Sequence, residues 1–199
     1  MIKKKLAVFF IILVSLLLFT HRPFFAQELT PTPEEPKDST TSSIIKYDLA
    51  YPGILPDHPL YKLKVLRDRI SITLISDPRK KIDFYLLQTD KGILAAAMLV
   101  DKNKISMAEE TALKAENNFT LLSRTISSYV KNQNPKKEEL DSLVAKLKTA
   151  SSKHQEILNS LLKRVPKENQ KTFENVIYFS KSNMNTIENT IKDFETGVN

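Results

Sequence analysis

The sequence predicts an all-α fold: an antiparallel bundle of about five helices that follows a leader segment and a disordered linker. After residue 51, apolar residues recur at spacings of four and three, which is the period of an amphipathic helix. The 199 residues include only three glycines and no tryptophan, a composition typical of long helices. No segment with the two-residue period of a β-strand is long enough to compete with this interpretation.

The first 26 residues predict export. Lys3–Lys5 precede the apolar run Leu6–Phe19, which has signal-peptide length and is shorter than the ~20 residues of a membrane-spanning helix. Two alternatives follow: cleavage after Ala26, or retention of residues 1–26 as an N-terminal membrane anchor. In both, the positive end stays in the cytoplasm and the rest is exported. We therefore expect an extracytoplasmic protein, secreted or tethered to the cytoplasmic membrane.

Residues 27–46 are predicted to form a disordered linker. They contain three prolines, the pair Glu34-Glu35 and the polar run Ser39–Ser43, without an apolar period. Such a composition cannot bury enough apolar surface to fold. A single helical domain is then expected over residues 47–199.

The domain is predicted to begin with a stiff, extended strap at Tyr51–His58. Prolines within it and directly after it fix φ and push the preceding residues towards extended geometry. Pro59 suits a first helical turn, with Asp57 or His58 near the cap. The helix that follows is expected from about Leu60 to Leu74. Its apolar stripe consists of Leu60, Leu63, Leu66 or Arg67, and Ile70.

Four further helices are marked by local start and stop signals. Asp77-Pro78 predicts an N-cap and a first helical residue, Ser106 with Glu109 matches a capping box, and Asn132–Pro135 and Val165-Pro166 predict breaks. The stripes of these helices are Ile82, Leu86, Thr89, Ile93, Ala96 and Val100; Ala108, Ala112, Ala115, Phe119, Leu122, Ile126 and Tyr129; Leu140, Val144, Leu147, Ser151, His154, Leu158 and Leu161; and Phe173, Ile177, Ser180, Met184, Ile187, Ile191 and Phe194. We expect intramolecular packing through short turns. An intermolecular coiled coil through the last helix is the alternative.

Charge and composition argue against several function classes. The net charge of +7 rests largely on the leader: four of the 30 basic residues precede Gln27, so the remaining 26 stand against 23 acidic residues. That balance describes an ordinary solvated surface, and we expect no binding to nucleic acid. Cysteine is absent, so the sequence offers no thiolate metal site and no disulfide.

Residues suited to catalysis are few and scattered. His21 lies beside the leader, His58 is interpreted as a turn or cap residue, and His154 as a core or seam residue, so the spacing does not predict a metal site. The sequence has no Gly-rich phosphate loop and no Gly-x-Ser-x-Gly elbow. We expect no catalytic residues, no metal and no cofactor, and hence no enzyme.

Several motifs resemble a known family. They are Pro56-x-x-Pro59-Leu60-Tyr61-x-Leu63-Lys64, Asp77-Pro78-x-Lys80, the stretch Ala108–Arg124, and Val165-Pro166. Over Tyr51–Lys192 the chain resembles the exported bacterial family called domain of unknown function DUF5667. It departs from the family at Gly92-Ile93 and Ala95–Ala97, where an Arg-Leu pair and a following Glu are common. The resemblance implies export, helicity and one continuous domain, and it carries over no catalytic residue.

We therefore expect a protein-interaction module of the cell envelope that binds an unidentified envelope protein. The alternative is an envelope chaperone or stress-sensor-like protein that binds unfolded clients. Membrane contact is expected only through the N-terminal segment. The candidate partner-binding residues are Tyr61, Leu55, Ile187 and Phe194. Tyr61 is also expected to dock the strap onto the bundle near Leu55, and the last helix to allow a homo-oligomer.

Overall fold

A computed structural model of the chain describes residues 47–197. Within this range it contains five α-helices and no strand. The helices are α1 (Tyr61–Leu74), α2 (Pro78–Asp101), α3 (Ile105–Gln133), α4 (Lys137–Leu162) and α5 (Lys167–Thr196). The all-α fold and the number of helices are confirmed. The predicted leader at residues 1–26 and linker at residues 27–46 lie outside the described residues.

Helices α2–α5 form a four-helix bundle. Contacts join α2 to α3, α3 to α5, α5 to α4, and α4 back to α2. Around the bundle the order is therefore α2, α3, α5, α4, with the consecutive helices α3 and α4 on one diagonal. In the described part of the chain, none of the helices combines the length and the apolar character that crossing a membrane requires.

The predicted stripes of α2–α5 form the core. Every position in them is buried except Val144 and Phe194, which are partly buried and pack against the core. One buried cluster includes Phe119 and Leu140, and a second includes Leu99 and Phe173. The expected intramolecular packing is thus confirmed. The apolar stripe of α5 is covered by the chain itself, and the intermolecular coiled coil stays a prediction.

Local signals set most helix ends. The side chain of Asp77 accepts a hydrogen bond from the Arg79 N–H at 2.8 Å, and Pro78 is the first residue of α2, as predicted. Asn134 ends α3 in the left-handed conformation, with φ of 45°. Pro166 has no N–H with which to continue the preceding helix, and it is the N-cap residue of α5.

The capping box predicted at Ser106 is wrong. Helix α3 begins at Ile105, one residue earlier, without a side-chain cap. Asn103 adopts a positive φ of 55°, and the Lys104 N–H donates to the Leu99 carbonyl at 2.8 Å. This backbone closure of α2, of the kind that follows many helices, leads directly into α3. Ser106 therefore lies inside the first turn.

Small residues bring α2 and α3 close together. A Cβ atom built on Gly92 would lie 2.6 Å from the Ala115 Cβ atom, which is well inside van der Waals contact. The alanines of the stripes, among them Ala96 and Ala112, are fully buried at the same interface. Gly92 is therefore needed here for close approach of two helices, since any side chain would displace α3.

Helix α1 departs from the expected packing. Its predicted stripe is turned to solvent, and none of its residues is buried. We call the exposed residues the outer stripe: Leu60, Leu63, Leu66, Ile70 and Leu74. The opposite, partly buried face carries Tyr61, Val65 and Ile72 and is turned towards α2 and α3. The expectation that the stripe packs on the bundle is wrong, because α2–α5 already close the core and the segments at both ends of α1 fix its rotation.

Candidate functional site

The strap holds the N-terminal end of α1 on the bundle. Leu55 is 6% exposed and Pro52 is buried. The Asp57 carboxylate accepts hydrogen bonds from Lys104 Nζ at 2.8 Å and from Lys102 Nζ at 3.1 Å. The bond from Lys104 has the larger effect and the bond from Lys102 the next, and together they lower the pKa of Asp57 to about 2. The strap is therefore clamped to the turn between α2 and α3.

A short turn then sets the start of α1. The His58 N–H donates to the Leu55 carbonyl at 3.0 Å, and His58 Nδ1 accepts from the Leu60 N–H at 3.1 Å. His58 is thus a turn and cap residue, as the sequence predicts. At the other end, Ile75–Asp77 connects α1 to α2. Helix α1 is anchored at both ends and leaves space beneath its middle.

That space, which we call the α1 cleft, has a volume of about 390 Å³. Its α1 wall includes Tyr61, Val65 and Ile72. Its opposite wall is built by α2 and α3, where Gly92, Ala95, Ala115 and Leu121 present small or apolar surfaces next to Phe84 and Tyr85. Ligand sites commonly fall in this size range and combine an apolar floor with a few polar groups.

Cations dominate the charge around the α1 cleft. Lys64, Arg69, Lys91 and Lys114 line it, against the single acid Asp68. Lys114 pairs with Glu110 at 2.7 Å, whereas neither Lys64 nor Lys91 has an ion pair within residues 47–197.

Burial and the positive charge around the cleft affect the pKa of Lys64. Burial is the main reason that its pKa is lowered, and the nearby cations Lys91 and Arg67 lower it further, against the opposing effect of Asp68. Its Nζ atom lies 5.5 Å from the centroid of the Tyr61 ring, within the range of a cation–π contact. An anionic group entering the cleft would therefore relieve repulsion between cations.

The four predicted partner residues lie in three places. Tyr61 is half-buried in the α1 cleft. Leu55 is a buried residue of the strap, and Ile187 is 1% exposed in the core, so neither side chain is accessible on the surface of this chain. Phe194 is partly buried against the same core. Tyr61 faces the cleft, which Pro56 of the strap also lines, and the docking role expected of Tyr61 stays a prediction.

A buried polar network lies away from the cleft. Asp90 accepts a hydrogen bond from the Tyr47 hydroxyl at 2.8 Å, and its second carboxylate oxygen lies 2.6 Å from His154 Nε2. The His154 ring stands edge-on to Phe119, and its Nδ1 atom has no hydrogen-bond partner among residues 47–197. His154 is a core residue, as predicted. Asp90 and Tyr47 were not identified from sequence, although Asp90 directly follows the stripe residue Thr89.

Glu116 is a second buried acid that sequence reasoning missed. It lies on α3, where Asn183 of α5 donates to its carboxylate and Thr120 also bonds to it. Burial raises the pKa of Glu116 to about 7, although these two hydrogen bonds act in the opposite direction. Its position beside the stripe residue Ala115 was the available sequence signal.

Two exposed aromatic residues were also missed. Tyr178 and Phe179 of α5 are 67% and 52% exposed, and their ring centroids lie 5.4 Å apart in an edge-to-face arrangement. They lie beside the buried Ile177 and outside the apolar period of the helix.

Over residues 47–197, no cluster of three or more His, Cys, Asp or Glu side chains has a geometry that could hold a metal ion.

Fold and site define a class: a four-helix bundle with an additional helix strapped across one face. The family model for the domain of unknown function DUF5667 matches residues 53–168, which is more than half of the chain. The chain therefore belongs to this family, as its motifs suggested. The match includes the strap from Gly53 onwards and every residue that lines the α1 cleft, and it ends at the start of α5. No curated protein and no solved structure matches the chain.

Proposed function

We propose that this chain is an exported, non-enzymatic protein-interaction module of the cell envelope, and that a partner protein inserts an extended segment into the α1 cleft. One observation supports this most: the inner face of α1 is held opposite α2 and α3 without filling the space between them. The cleft leaves accessible an apolar surface that direct packing of α1 on α2 and α3 would have buried, and an accessible apolar surface often marks a binding site.

The lining of the cleft favours one kind of segment. Its apolar floor suits an aliphatic or aromatic side chain. Lys64 and Lys91, which have no ion pair within residues 47–197, suit a neighbouring carboxylate. A carboxylate that reaches both amines gains charge-assisted hydrogen bonds in a partly desolvated place. We therefore expect the partner segment to carry an acidic residue next to a large apolar one.

Site-specific photo-cross-linking in the native host tests the use of the cleft. A photoreactive residue at Tyr61 is expected to form one dominant product, and the same residue at the exposed Tyr178 is expected not to form it. Asn118→Trp, which places a large side chain in the cleft wall, should abolish the product. Lys91→Glu should reduce it severalfold. Helical circular dichroism should be unchanged in both variants.

Cross-linked products that are equal at Tyr61 and Tyr178, or that persist in Asn118→Trp, would contradict the proposal.

Export has a separate test. A reporter that is active only outside the cytoplasm, fused after Asn199, is expected to be active because residues 1–26 have signal-peptide character. Sequencing of the mature N-terminus separates cleavage after Ala26 from anchoring.

The alternative function is that of an envelope chaperone that holds unfolded clients. The exposed outer stripe favours it, because unfolded chains bind to accessible apolar surface. In that case the protein suppresses aggregation of a chemically denatured client, and Leu63→Asp weakens suppression while Asn118→Trp does not. The opposite sensitivity, to Asn118→Trp alone, favours the interaction module.

A further inference from the structure

Exposed apolar side chains are concentrated in one region of the surface. Seven of the twelve large apolar residues that are exposed in the described residues lie between Tyr51 and Leu74. Five of them form the outer stripe. Tyr51 and Ile54 extend it, because they border the same shallow hollow as Leu60 and Leu63. A contiguous apolar surface of this kind is unusual on a monomer and indicates contact with something else.

The outer stripe is flanked by positive charge. Successive residues of a helix turn by about 100°, so Lys62 lies along one edge of the stripe, beside Leu66. Arg69 lies next to Lys62 on the side of the cleft, which it also lines. Arg67 lies on the other side, four residues after Leu63, and its guanidinium pairs with Asp68 at 2.8 Å. The acid of α1, Asp68, is on the partly buried face and lines the cleft. The outward surface of α1 therefore combines aliphatic side chains with cations and carries no acid of its own.

We propose that this surface lies on an anionic lipid bilayer, with α1 in the plane of the interface. Helices with an apolar face and Lys or Arg beside it bind this way: the apolar residues enter the acyl boundary and the cations reach the headgroups. Each cation near an anionic membrane adds favourable electrostatic energy. An exposed tyrosine such as Tyr51 suits the headgroup level.

Charge decides between a membrane and a second copy of the chain. Two copies meeting through the outer stripe would oppose the same cations, Lys62 and Arg69, without an acid on either outward face to pair with them. An anionic membrane supplies the missing countercharge. The order along the chain agrees, because α1 is the first helix after a linker that the sequence predicts behind a membrane-targeting segment.

This inference goes beyond the proposed function and does not depend on it. The inner face of α1 lines the cleft, and the outer face would contact lipid. The expectation that only the N-terminal segment contacts the membrane would then be incomplete. A helix with both faces engaged would hold the mouth of the cleft at a fixed height above the bilayer.

The absence of tryptophan from the chain provides a clean experiment. Leu66→Trp introduces a single indole into the outer stripe of the full chain, and Tyr178→Trp places one on α5 as the matched control, since both positions are exposed. Each variant is reconstituted in mixed phosphatidylcholine–phosphatidylglycerol vesicles. The indole at position 66 is expected to shift its emission to the blue and to be quenched by brominated lipid, and the indole at position 178 is not.

Charge reversal sharpens the test. Adding Lys62→Glu to the Leu66→Trp chain is expected to lower the membrane-bound population of α1 about fivefold or more, with unchanged circular dichroism. Vesicles of phosphatidylcholine alone should give little shift. No shift in anionic vesicles, or equal quenching at positions 66 and 178, overturns the proposal. A concentration-dependent shift without vesicles also overturns it, and indicates a second copy on the outer stripe.

Discussion

Helices α1 and α5 carry the same apolar period but use it in opposite ways. In α5 the residues at four–three spacing are buried, Ile187 to 1% exposure, whereas in α1 they face solvent, Leu63 at 64% and Leu74 at 77%. The period shows that one face of a helix is apolar, and it does not say what covers that face. α5 fills a side of a four-helix core. α1 is added outside a core that is already closed.

The largest expected difference between these helices is in the free energy of unfolding lost when one isoleucine in each is replaced by alanine. Ile187→Ala should lower the free energy of unfolding by about 3 kcal/mol, because it leaves a cavity in the core. Ile70→Ala, at a position that is 52% exposed, should change it by about 0.5 kcal/mol or less. Urea unfolding followed by circular dichroism measures both. Equal losses would mean that α1 is part of the core.

The close contact of α2 with α3 gives the next largest effect. Gly92→Ala should cost about 2 kcal/mol, since the new methyl group would overlap the Ala115 side chain. Ala115→Gly in the same chain should recover part of this loss, so that a double-mutant cycle gives a coupling of about 1 kcal/mol. Additive effects of the two substitutions would contradict the contact geometry. The result also tests the wall of the α1 cleft.

The burial of Glu116 predicts that the stability of the four-helix bundle depends on pH, without a contribution from α1. The pKa of Glu116 in the folded protein is about 7, above its ordinary value of 4.5, so the folded state holds the proton more tightly. Stability contributed by this group is present below pH 4.5 and is lost as pH rises through 7. Glu116→Gln should therefore flatten the pH profile and gain about 2 kcal/mol at pH 8.

Glu110→Gln, an exposed position on the same helix, is the control for that experiment and should leave the profile unchanged. Denaturant midpoints measured from pH 5 to pH 8 provide the comparison. A wild-type stability that rises over this range, or a Glu116→Gln profile parallel to that of the wild type, would show that Glu116 does not titrate as its burial requires.

The strap should respond locally. Asp57→Asn removes the countercharge of Lys102 and Lys104, and we expect faster proteolysis within residues 51–60 without a change in the midpoint of global unfolding. Because the folded pKa of Asp57 is lowered to about 2, the clamp persists above pH 3.8 and is lost only as pH falls through 2. Asp193→Asn, at an exposed position of α5, should leave proteolysis of the strap unaltered.

Most of the fold follows from local rules, and the site does not. The stripes of α2–α5 and the cap at Asp77 are read from spacing and residue type alone, because each depends on neighbours within one or two turns. Ser106 shows the limit: a closing turn that Asn103 makes by its backbone takes precedence over a matching side-chain pattern. The outward rotation of α1 depends on long-range anchors at Leu55 and Asp57, and no periodicity encodes it.

The candidate site divides in the same way. Tyr61 was identified because it lies beside the α1 stripe, and the structure places it in the cleft. Ile187 was proposed on an apolar pattern, and that pattern turned out to be the core. The cations Lys64 and Lys91 meet only because α1 crosses α2, and Asp90 meets His154 across 64 residues of sequence. Contacts of that kind require the tertiary structure.

Native-state hydrogen exchange tests most directly that α1 is anchored to the bundle without belonging to its core. Helices with few buried contacts open locally at lower free energy than the whole molecule. The amides of α1 should therefore exchange with an opening free energy about 2 kcal/mol or more below that of α3 and α5 amides, and without sensitivity to denaturant. Amides of α1 that exchange at the same free energy and with the same denaturant dependence as those of α5 would contradict it.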